Sequence, residues 1–317
     1  KEAGNATTSA LHTVIIGKGA ANGNLTGSGG AEGTIAIGYA ALQALTSGIG
    51  NVAIGYQALD AEDDGDYNTA VGHQALTAQT GTSGSVNNTA VGYKAGTSIV
   101  KGKQNTAVGS QALYTDDYGD GNTAVGYGVM YEQNTSGTSN VTSANTGVGQ
   151  SAGNHNQTGT NNTLIGYKAG YGASGQSHSN NTAVGKDALL SITDGGSNVS
   201  IGSLSGDALT TGDDNIFIGV GAAGTTTDVD KAVIIGQGAG AGNLTNAADG
   251  SVLIGGSAGA ALTSGAGNTA VGYLSMDVLT TGGYNTCLGD QTLSTASTAL
   301  ALSLIHISEP TRRTPIS

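Results

Sequence analysis

The sequence predicts an all-β protein, a parallel β-solenoid or β-roll of about sixteen coils with 17 residues each. Three observations predict this fold. A motif close to Asn-Thr-Ala-Val-Gly recurs along most of the chain, β-branched residues alternate within each copy, and glycine-rich turn segments separate the copies. A fixed period of this kind is typical of solenoids, in which each repeat forms one coil and stacks on the next.

The repeat is defined by a glycine that every copy contains. Sixteen such glycines run from Gly17 to Gly289; ten of the fifteen intervals are 17 residues and the others are 19 to 23. The unit reads roughly N-T-A-V-G-Y-x-A-L followed by eight turn residues, as in residues 51–67. When each unit is numbered from its first residue, usually Asn, the glycine takes position five. We expect these glycines to be structural, because positive φ or very close packing requires glycine; examples are Gly55, Gly72, Gly92, Gly109 and Gly126.

Positions two and four carry the strand signal. Position two is β-branched in every copy, and position four is Val or Ile in all but the last, which has Leu288. Alternate residues of a strand share a face, and these residue types favour strands. We therefore assign positions two and four to the coil interior. Position eight is small in nearly every copy, and position nine varies between Leu or Met and Gly or Ala, so both are expected to close a thin core.

Position three then points to the opposite face of the strand. It is Ala in eight copies, but larger apolar residues take it in others, including Leu164, Phe217, Ile234 and Leu253. A strand that is apolar on both faces is buried on both, and a coil has only one interior. We therefore expect these four side chains to form the interface of a homo-oligomer.

Asn occupies position one in twelve copies, including Asn68, Asn88, Asn105 and Asn122. Stacked coils would align these amides in a ladder of hydrogen bonds from coil to coil. Alternatively, Asn simply suits the turn that enters the strand. The two interpretations are compatible.

Several copies resemble the head repeat of YadA-like trimeric autotransporter adhesins, and NTAVGYxAL arrays are also similar to those of phage tail-fibre proteins. The segments are NVAIG at 51–55, NTAVG at 68–72, 88–92, 105–109, 122–126, 181–185 and 268–272, and NVSIG at 198–202. The resemblance covers residues 13–293 and implies a left-handed, homotrimeric β-roll. It also implies an extracellular location, on a bacterial surface or a virion tail fibre, with a host-cell glycan or protein as receptor. The longer unit and the frequent Tyr after glycine depart from the adhesin pattern.

Composition restricts the function classes. A net charge of −12 disfavours nucleic acid as a partner, and no segment approaches the ~20 apolar residues of a membrane span. We expect no catalytic residues and no cofactor, because the histidines are not spaced as metal pairs and no nucleophile set is evident; they are His12, His73, His155, His178 and His306.

Acidic turns offer weak candidate calcium ligands, since Ca²⁺ takes oxygen ligands. They match neither the EF-hand pattern nor the nonapeptide of calcium-binding β-rolls, so solvated acidic loops are the simpler interpretation. The candidates are Asp63, Asp64, Asp66, Asp116, Asp117 and Asp120.

Tyrosine recurs at position six and could bind glycans or a protein receptor, because its ring is apolar and its tip polar. The alternative is a packing ladder at the coil edge. The residues are Tyr39, Tyr56, Tyr93, Tyr127, Tyr167 and Tyr273. The longer units place their extra residues after position nine, which predicts loops on one side of the solenoid, either for recognition or as tolerated surface variation.

The chain divides into a truncated N-terminal flank (1–12), the repeat domain (13–301) and a final segment (302–317) that opens LSLIHISEPTR. This last segment resembles a translated sequencing-library adapter, and we expect it to be disordered and outside the fold; a natural unstructured terminus is the alternative. The pattern favours a non-catalytic attachment fibre or adhesin head. A passive tail-fibre spacer with its receptor-binding domain elsewhere is the alternative. Ice binding is a third hypothesis, because Thr holds position two in nine copies, although its assignment to the core argues against it.

Overall fold

The computed structural model describes residues 12–23, 30–80, 84–135 and 141–305. The chain forms two compact units, Lys1–Ser197 and Asn198–Ser317. Within each unit, successive coils contribute one three-residue strand at positions two to four of the repeat. The predicted all-β parallel solenoid of about sixteen turns is confirmed.

The strands are short, as the dense turn residues require. In the first unit they are β1 Val14–Ile16, β2 Ile35–Ile37, β3 Val52–Ile54, β4 Gly65–Asp66, β5 Thr69–Val71, β6 Gly84–Ser85, β7 Thr89–Val91, β8 Thr106–Val108, β9 Gly119–Asp120, β10 Thr123–Val125, β11 Val141–Thr142, β12 Thr146–Val148, β13 Thr163–Ile165 and β14 Thr182–Val184. In the second unit they are β15 Val199–Ile201, β16 Ile216–Ile218, β17 Val233–Ile235, β18 Val252–Ile254, β19 Thr269–Val271, β20 Thr286–Leu288 and β21 Ser303–Ile305, with a 3₁₀ helix at Asn246–Ala248 before β18.

Equivalent positions of neighbouring coils pair directly. Thr106 and Ala107 of β8 lie opposite Thr123 and Ala124 of β10, and the pairing is parallel. Two further pairs, β4 with β6 and β9 with β11, join coils at positions fifteen and sixteen. Because the register is that of the repeat, each position of the unit becomes a row of side chains along the stack.

The assignment of strand faces made from the sequence is wrong. Position three points into the coil: the four side chains predicted to form an oligomer interface are each 0% exposed inside their own coils, namely Leu164, Phe217, Ile234 and Leu253. Positions two and four point outward and are half-buried or exposed. The reason is the width of the coil. The interior holds one strand row together with positions one, eight, nine and twelve, and Ala at position three fits that space better than two rows of β-branched residues.

Positions three and nine share one volume of the core. A Cβ atom placed on Gly259, at position nine, would lie 2.8 Å from both Cδ atoms of Leu253, at position three. At Gly240, also at position nine, an added Cβ atom would lie 3.0 Å from Cδ1 of Ile234, at position three. Conversely, position nine is a buried Leu or Met in seven of the eight copies with Ala at position three, namely Leu42, Leu59, Leu76, Leu113, Met130, Leu189 and Met276. In these coils one large side chain, from position three or from position nine, fills this space.

Three corners of each coil use left-handed backbone conformations. Position seven, position nine and the last position of the unit have positive φ, as in Gln57 (52°), Leu59 (51°) and Tyr67 (60°). This region is uncommon for residues other than glycine. Positive φ recurs at the same three positions in successive coils, so the backbone path of the coil imposes it. Residues with ordinary side chains adopt this conformation there.

The glycine at position five serves close contact between coils. Gly219 has φ +134°, and a Cβ atom there would lie 2.6 Å from the carbonyl oxygen of Gly236, the matching glycine one coil on. The Cα atom of each of these glycines therefore packs against the backbone of the matching glycine in the next coil. Both the positive φ and the lack of room for a Cβ atom exclude a side chain at this position.

The asparagines at position one form a buried ladder. The Oδ1 atom of Asn88 accepts a hydrogen bond from the backbone N–H of Asn105 (2.9 Å), and Oδ1 of Asn105 accepts one from N–H of Asn122 (2.8 Å). Likewise Asn68 accepts from N–H of Asn88 (3.1 Å). The Nδ2 group of Asn105 donates across its own coil to the carbonyl of Gly119 (2.7 Å). The ladder therefore runs mainly from side chain to backbone, rather than from amide to amide.

The segment expected to be disordered begins with a strand. Ser303–Ile305 forms β21, which pairs in parallel with β20, Ser303 lying opposite Thr286. All three residues of β21 are exposed. An edge strand offers unpaired N–H and C=O groups that a neighbouring apolar segment can satisfy, which explains the pairing. Residues 306–317, and residues 1–11 of the N-terminal flank, lie outside the described part of the chain.

Replacement of Gly219 by Ala tests the contact between coils. We expect Gly219→Ala to lower the free energy of unfolding by about 3 kcal/mol, because the new methyl group meets backbone that cannot move aside. The control is Gly221→Ala, two residues along, where φ is +63° but nothing lies within 4 Å of the added Cβ. Its cost should be about 1 kcal/mol. Equal losses in urea unfolding would contradict the close-contact explanation.

The shared core volume predicts a compensating pair of substitutions. We expect Leu253→Ala to cost about 3 kcal/mol through the cavity it leaves, and Gly259→Leu to cost about 2 kcal/mol through overpacking. The double variant reproduces the Ala and Leu arrangement of other coils and should be more stable than either single variant. A double-mutant cycle by urea denaturation measures this coupling, and strictly additive losses would show that the two positions do not share the space.

Candidate functional site

The outward strand face is a regular, uncharged surface. Every residue at positions two and four is Thr, Val, Ile or Leu. Several are well exposed for apolar side chains, including Ile16 (56%) and Leu288 (46%). The face varies in blocks: positions two and four are aliphatic throughout β15 to β18, whereas strands β5 to β14 at this face combine Thr with Val or Ile.

The tyrosines at position six stack on one another in part of the first unit. The rings of Tyr39 and Tyr56 have centroids 5.3 Å apart and are nearly parallel, at 11°. His73 continues the row, 4.9 Å from Tyr56 and 5.6 Å from Tyr93. Stacked rings cover one another's faces, and it is a ring face that a sugar packs against. This geometry favours the packing ladder over a glycan platform, and it explains His73 as a member of the row.

The other three tyrosines of this position do not extend the stack. Tyr127, Tyr167 and Tyr273 are exposed. The Nζ atoms of Lys168 and Lys186 lie 5.5 Å and 6.0 Å from the ring centroid of Tyr167, within range of a cation–π interaction. The six residues therefore do not form one continuous binding row.

Most of the candidate calcium ligands bind backbone groups instead. Oδ1 of Asp66 accepts a hydrogen bond from N–H of Ile49 in the preceding coil (2.9 Å), and Oδ1 of Asp120 accepts one from N–H of Lys103 (2.6 Å). Oδ1 of Asp117 accepts from N–H of Tyr118 (2.9 Å). Across the described ranges, one group of three acidic side chains brings carboxylate oxygens within 4.8 Å of one another: Glu62, Asp63 and Asp64.

Polar side chains in the core at position twelve were missed by the sequence reasoning. Glu62, Gln79, Asp116, Gln133 and Asn156 are all 0–1% exposed. The signal was present, because the same position is a buried aliphatic residue in other coils, namely Leu45, Ile99, Ile192, Leu209, Leu262 and Leu279. A polar residue at an apolar repeat position lies in the core and needs partners there.

Asp116 finds these partners within the coil. Its Oδ1 accepts hydrogen bonds from N–H of Gly119 and from Oγ1 of Thr135, both at 3.1 Å. Its Oδ2 accepts from Nδ2 of Asn122 (3.0 Å), a member of the asparagine ladder. Burial nevertheless outweighs these bonds and raises the pKa of Asp116 to about 6.

His178 is the second buried titratable group of this core. Its Nε2 lies 3.2 Å from the carbonyl oxygen of Gly170, and its Nδ1 lies 3.3 Å from Nδ2 of Asn181. A neutral ring that donates from Nε2 and accepts at Nδ1 satisfies both contacts. Burial lowers the pKa of His178 to about 4, which keeps the ring neutral at physiological pH.

The insertions after position nine contribute to the core where the structure describes them fully. In residues 171–180, Gln176 pairs with Asn156 through a parallel β-bridge and His178 enters the interior. In residues 241–250, Leu244 and Ala248 are buried around the 3₁₀ helix. The insertions at 22–33, 77–87 and 131–144 lie partly outside the described residues.

Comparison with protein-family models gives no match, and comparison with curated proteins also finds none. The described residues form no helix with the length and apolar character needed to cross a membrane.

The two buried titratable groups of the first unit predict opposite pH dependences. The raised pKa of Asp116 means that its contribution to stability is present below about pH 4 and is lost as pH rises through about 6. The lowered pKa of His178 means that its contribution is present above about pH 6.5 and is lost as pH falls through about 4. Each effect is on the order of 3 kcal/mol.

We therefore expect Asp116→Asn to make the free energy of unfolding fall more steeply on acidification between pH 6.5 and 4. His178→Gln should have the reverse effect. Urea denaturation at three pH values in this window measures both slopes. Variants that share the wild-type slope would show that neither group titrates differently on unfolding.

Proposed function

We propose that this chain is a non-catalytic attachment fibre or adhesin head, a left-handed and homotrimeric β-roll whose copies associate through the outward strand face. The observation that carries the proposal is the uncharged Thr, Val and Ile surface at positions two and four. A face that stays in water over many coils would be expected to include charged residues, and a contiguous apolar surface is typical of an interaction site.

Another copy of the chain is the simplest partner for this face. Identical chains aligned in parallel place like rows opposite like rows, so the aliphatic block of one copy meets the aliphatic block of the next. Most soluble oligomers are built from identical chains with closed symmetry, and a threefold axis along the stack would keep equal coils at equal height. The interface thus uses positions two and four, in place of the position-three residues first assigned to it.

The remaining surface and core support a structural role. Buried titratable groups such as Asp116 and His178 bind neighbouring backbone and asparagine groups, which accounts for them without catalysis. The resemblance of the repeat supports an extracellular location, on a bacterial surface or a virion tail fibre, and a glycan or protein receptor.

A passive spacer in a tail fibre is the alternative. Binding of labelled trimer to a glycan array or to host cells would favour the adhesin head over the spacer.

Ice binding is a second candidate, and the orientation of the threonines favours it. The nine Thr residues at position two belong to the outward face, so the objection that they fill the core no longer holds. Rows of Thr at the ~4.8 Å spacing of paired strands form a regular array of methyl and hydroxyl groups that could order water.

Self-association predicts a defined oligomer that a charge on the outward face disrupts. We expect sedimentation equilibrium of the wild-type protein to give a mass near three chains. Ile201→Lys combined with Ile235→Lys should yield monomers, because each lysine would be desolvated in the interface. Gln237→Lys is the control, since Gln237 is exposed at position six, and it should leave the oligomer intact.

A folded wild-type monomer would contradict the proposal. If that monomer also showed thermal hysteresis in ice-growth measurements, the second candidate would replace it.

A further inference from the structure

A cavity lies beside the first two coils, on the side of the stack formed by positions six, seven and ten. Its volume is about 170 Å³. Each of the two coils contributes one residue from each of these positions, namely Lys18 and Tyr39 at position six, Gly19 and Ala40 at position seven, and Asn22 and Gln43 at position ten. None of the six is at position two or four, the surface proposed above for self-association.

Small residues at position seven create this space. In the next two coils the same position carries long side chains, and Nε2 of Gln74 donates a hydrogen bond to Oε1 of Gln57 (3.1 Å). Gly19 and Ala40 leave the corresponding volume of the first two coils without a long side chain. The backbone there is held from coil to coil, since N–H of Ala40 donates to the carbonyl oxygen of Lys18 (3.0 Å). The cavity is therefore bounded at position seven by fixed backbone.

The row of stacked rings at position six ends at this cavity. Tyr56 covers one face of Tyr39, with ring centroids 5.3 Å apart and an angle of 11° between the rings. The preceding coil carries Lys18 at position six, where a further ring would continue the row. Because the lining residues come from the first two coils, the cavity borders the face of Tyr39 that is turned away from Tyr56. The end of the stack thus leaves one ring face open to a ligand, although faces within the stack are covered.

The polar side chains around this ring face are available to a ligand. Lys18, Asn22 and Gln43 are exposed, and their side chains form no hydrogen bond or ion pair with other described residues. No acidic residue lines the cavity, so the ammonium group of Lys18 is not neutralised there. The two amides can each donate and accept hydrogen bonds. One ring face, one positive charge and two amides therefore surround the same small volume.

We propose that this cavity binds one unit of an acidic carbohydrate, a sugar that carries a carboxylate. The C–H groups on one side of the sugar ring pack on the open face of Tyr39, and the carboxylate accepts a charge-assisted hydrogen bond from Nζ of Lys18. The hydroxyl groups meet the amides of Asn22 and Gln43. An apolar surface with a few polar groups that fix orientation is typical of small-molecule sites, and drug-sized ligands occupy larger pockets, of about 300–1,000 Å³. The inference names a site and a ligand class for the receptor binding proposed above, and it rests on that proposal for its biological role.

Saturation-transfer difference NMR on the full chain tests the site with monosaccharide probes. The acidic probes are the methyl glycosides of N-acetylneuraminic acid and of glucuronic acid, and methyl glucoside is the neutral counterpart of the second. We expect at least one acidic probe to bind, and the neutral probe to bind roughly tenfold more weakly, because it lacks the group that pairs with Lys18. Added sodium chloride should weaken binding of the acid by screening this pair. Binding of neither acid, or equal binding of the neutral probe, would overturn the proposal.

Three substitutions locate the binding in the cavity. Ala40→Gln introduces the side chain that Gln57 has at the same position of the next coil, where φ is nearly equal (54° and 52°). This variant should fold normally and fill the cavity. Lys18→Gln removes the charge, and Tyr39→Ala removes the ring. Each of the three is expected to weaken binding of the acidic probe roughly tenfold or more, while urea unfolding checks that the fold is retained.

Two controls remove the same groups elsewhere. Lys231→Gln and Tyr273→Ala alter exposed residues of the second unit and should bind the acidic probe as the wild type does. Equal losses in the site and control variants would place the binding outside the cavity and overturn the proposal. A wild-type trimer that binds host cells but neither acidic probe would reject this site alone. A folded monomer that binds the acid would instead reject the trimer and leave the site standing.

Discussion

The narrow interior of the coil is the constraint on which the rest of the structure depends. Seventeen residues that close on themselves leave space for one row of strand side chains and a few partners, so each inward position affects the others. Two coils show this directly. One combines Leu253 at position three with Gly259 at position nine, and another combines Ala70 with Leu76 at the same two positions. The large side chain differs in position, but it fills the same volume. Close packing of this kind also explains why glycine at position five is present in every copy.

A thin core requires another source of cohesion, and hydrogen bonds between coils provide it. The buried asparagines connect the backbone of one coil to the next, and their Nδ2 groups also join the two sides of a coil, as Asn105 does with Gly119. Aspartates at the turns extend the same principle to the surface, where Asp66 and Asp120 accept backbone N–H groups of the preceding coil. Polar groups thus stabilise the stack along its axis, while apolar groups fill each coil.

The sequence was sufficient for the repeat, the strands and the parallel stacking, because these follow from period and residue type. It was not sufficient to predict which side chains of the strand point into the coil. Thr, Val and Ile at positions two and four are more apolar than Ala at position three, and hydrophobicity alone places them inside; the limited width of the coil reverses this. The asparagine ladder indicates the correct orientation, because position one shares a face of the strand with position three. The sequence placed Asp116 in an acidic turn, and its burial was not predicted, because that burial depends on how far position twelve reaches into the coil.

The pairing of β21 with β20 has a consequence for the length of such a protein. Three residues outside the repeat adopt the register of a further coil, so β20 pairs with a strand that does not carry the Asn-Thr-Ala-Val-Gly motif. The contacts within a single coil do not depend on how many coils precede it. The number of turns is therefore a property of the gene and not of the fold, and duplication or loss of a unit could lengthen or shorten the stack without redesigning any contact within it.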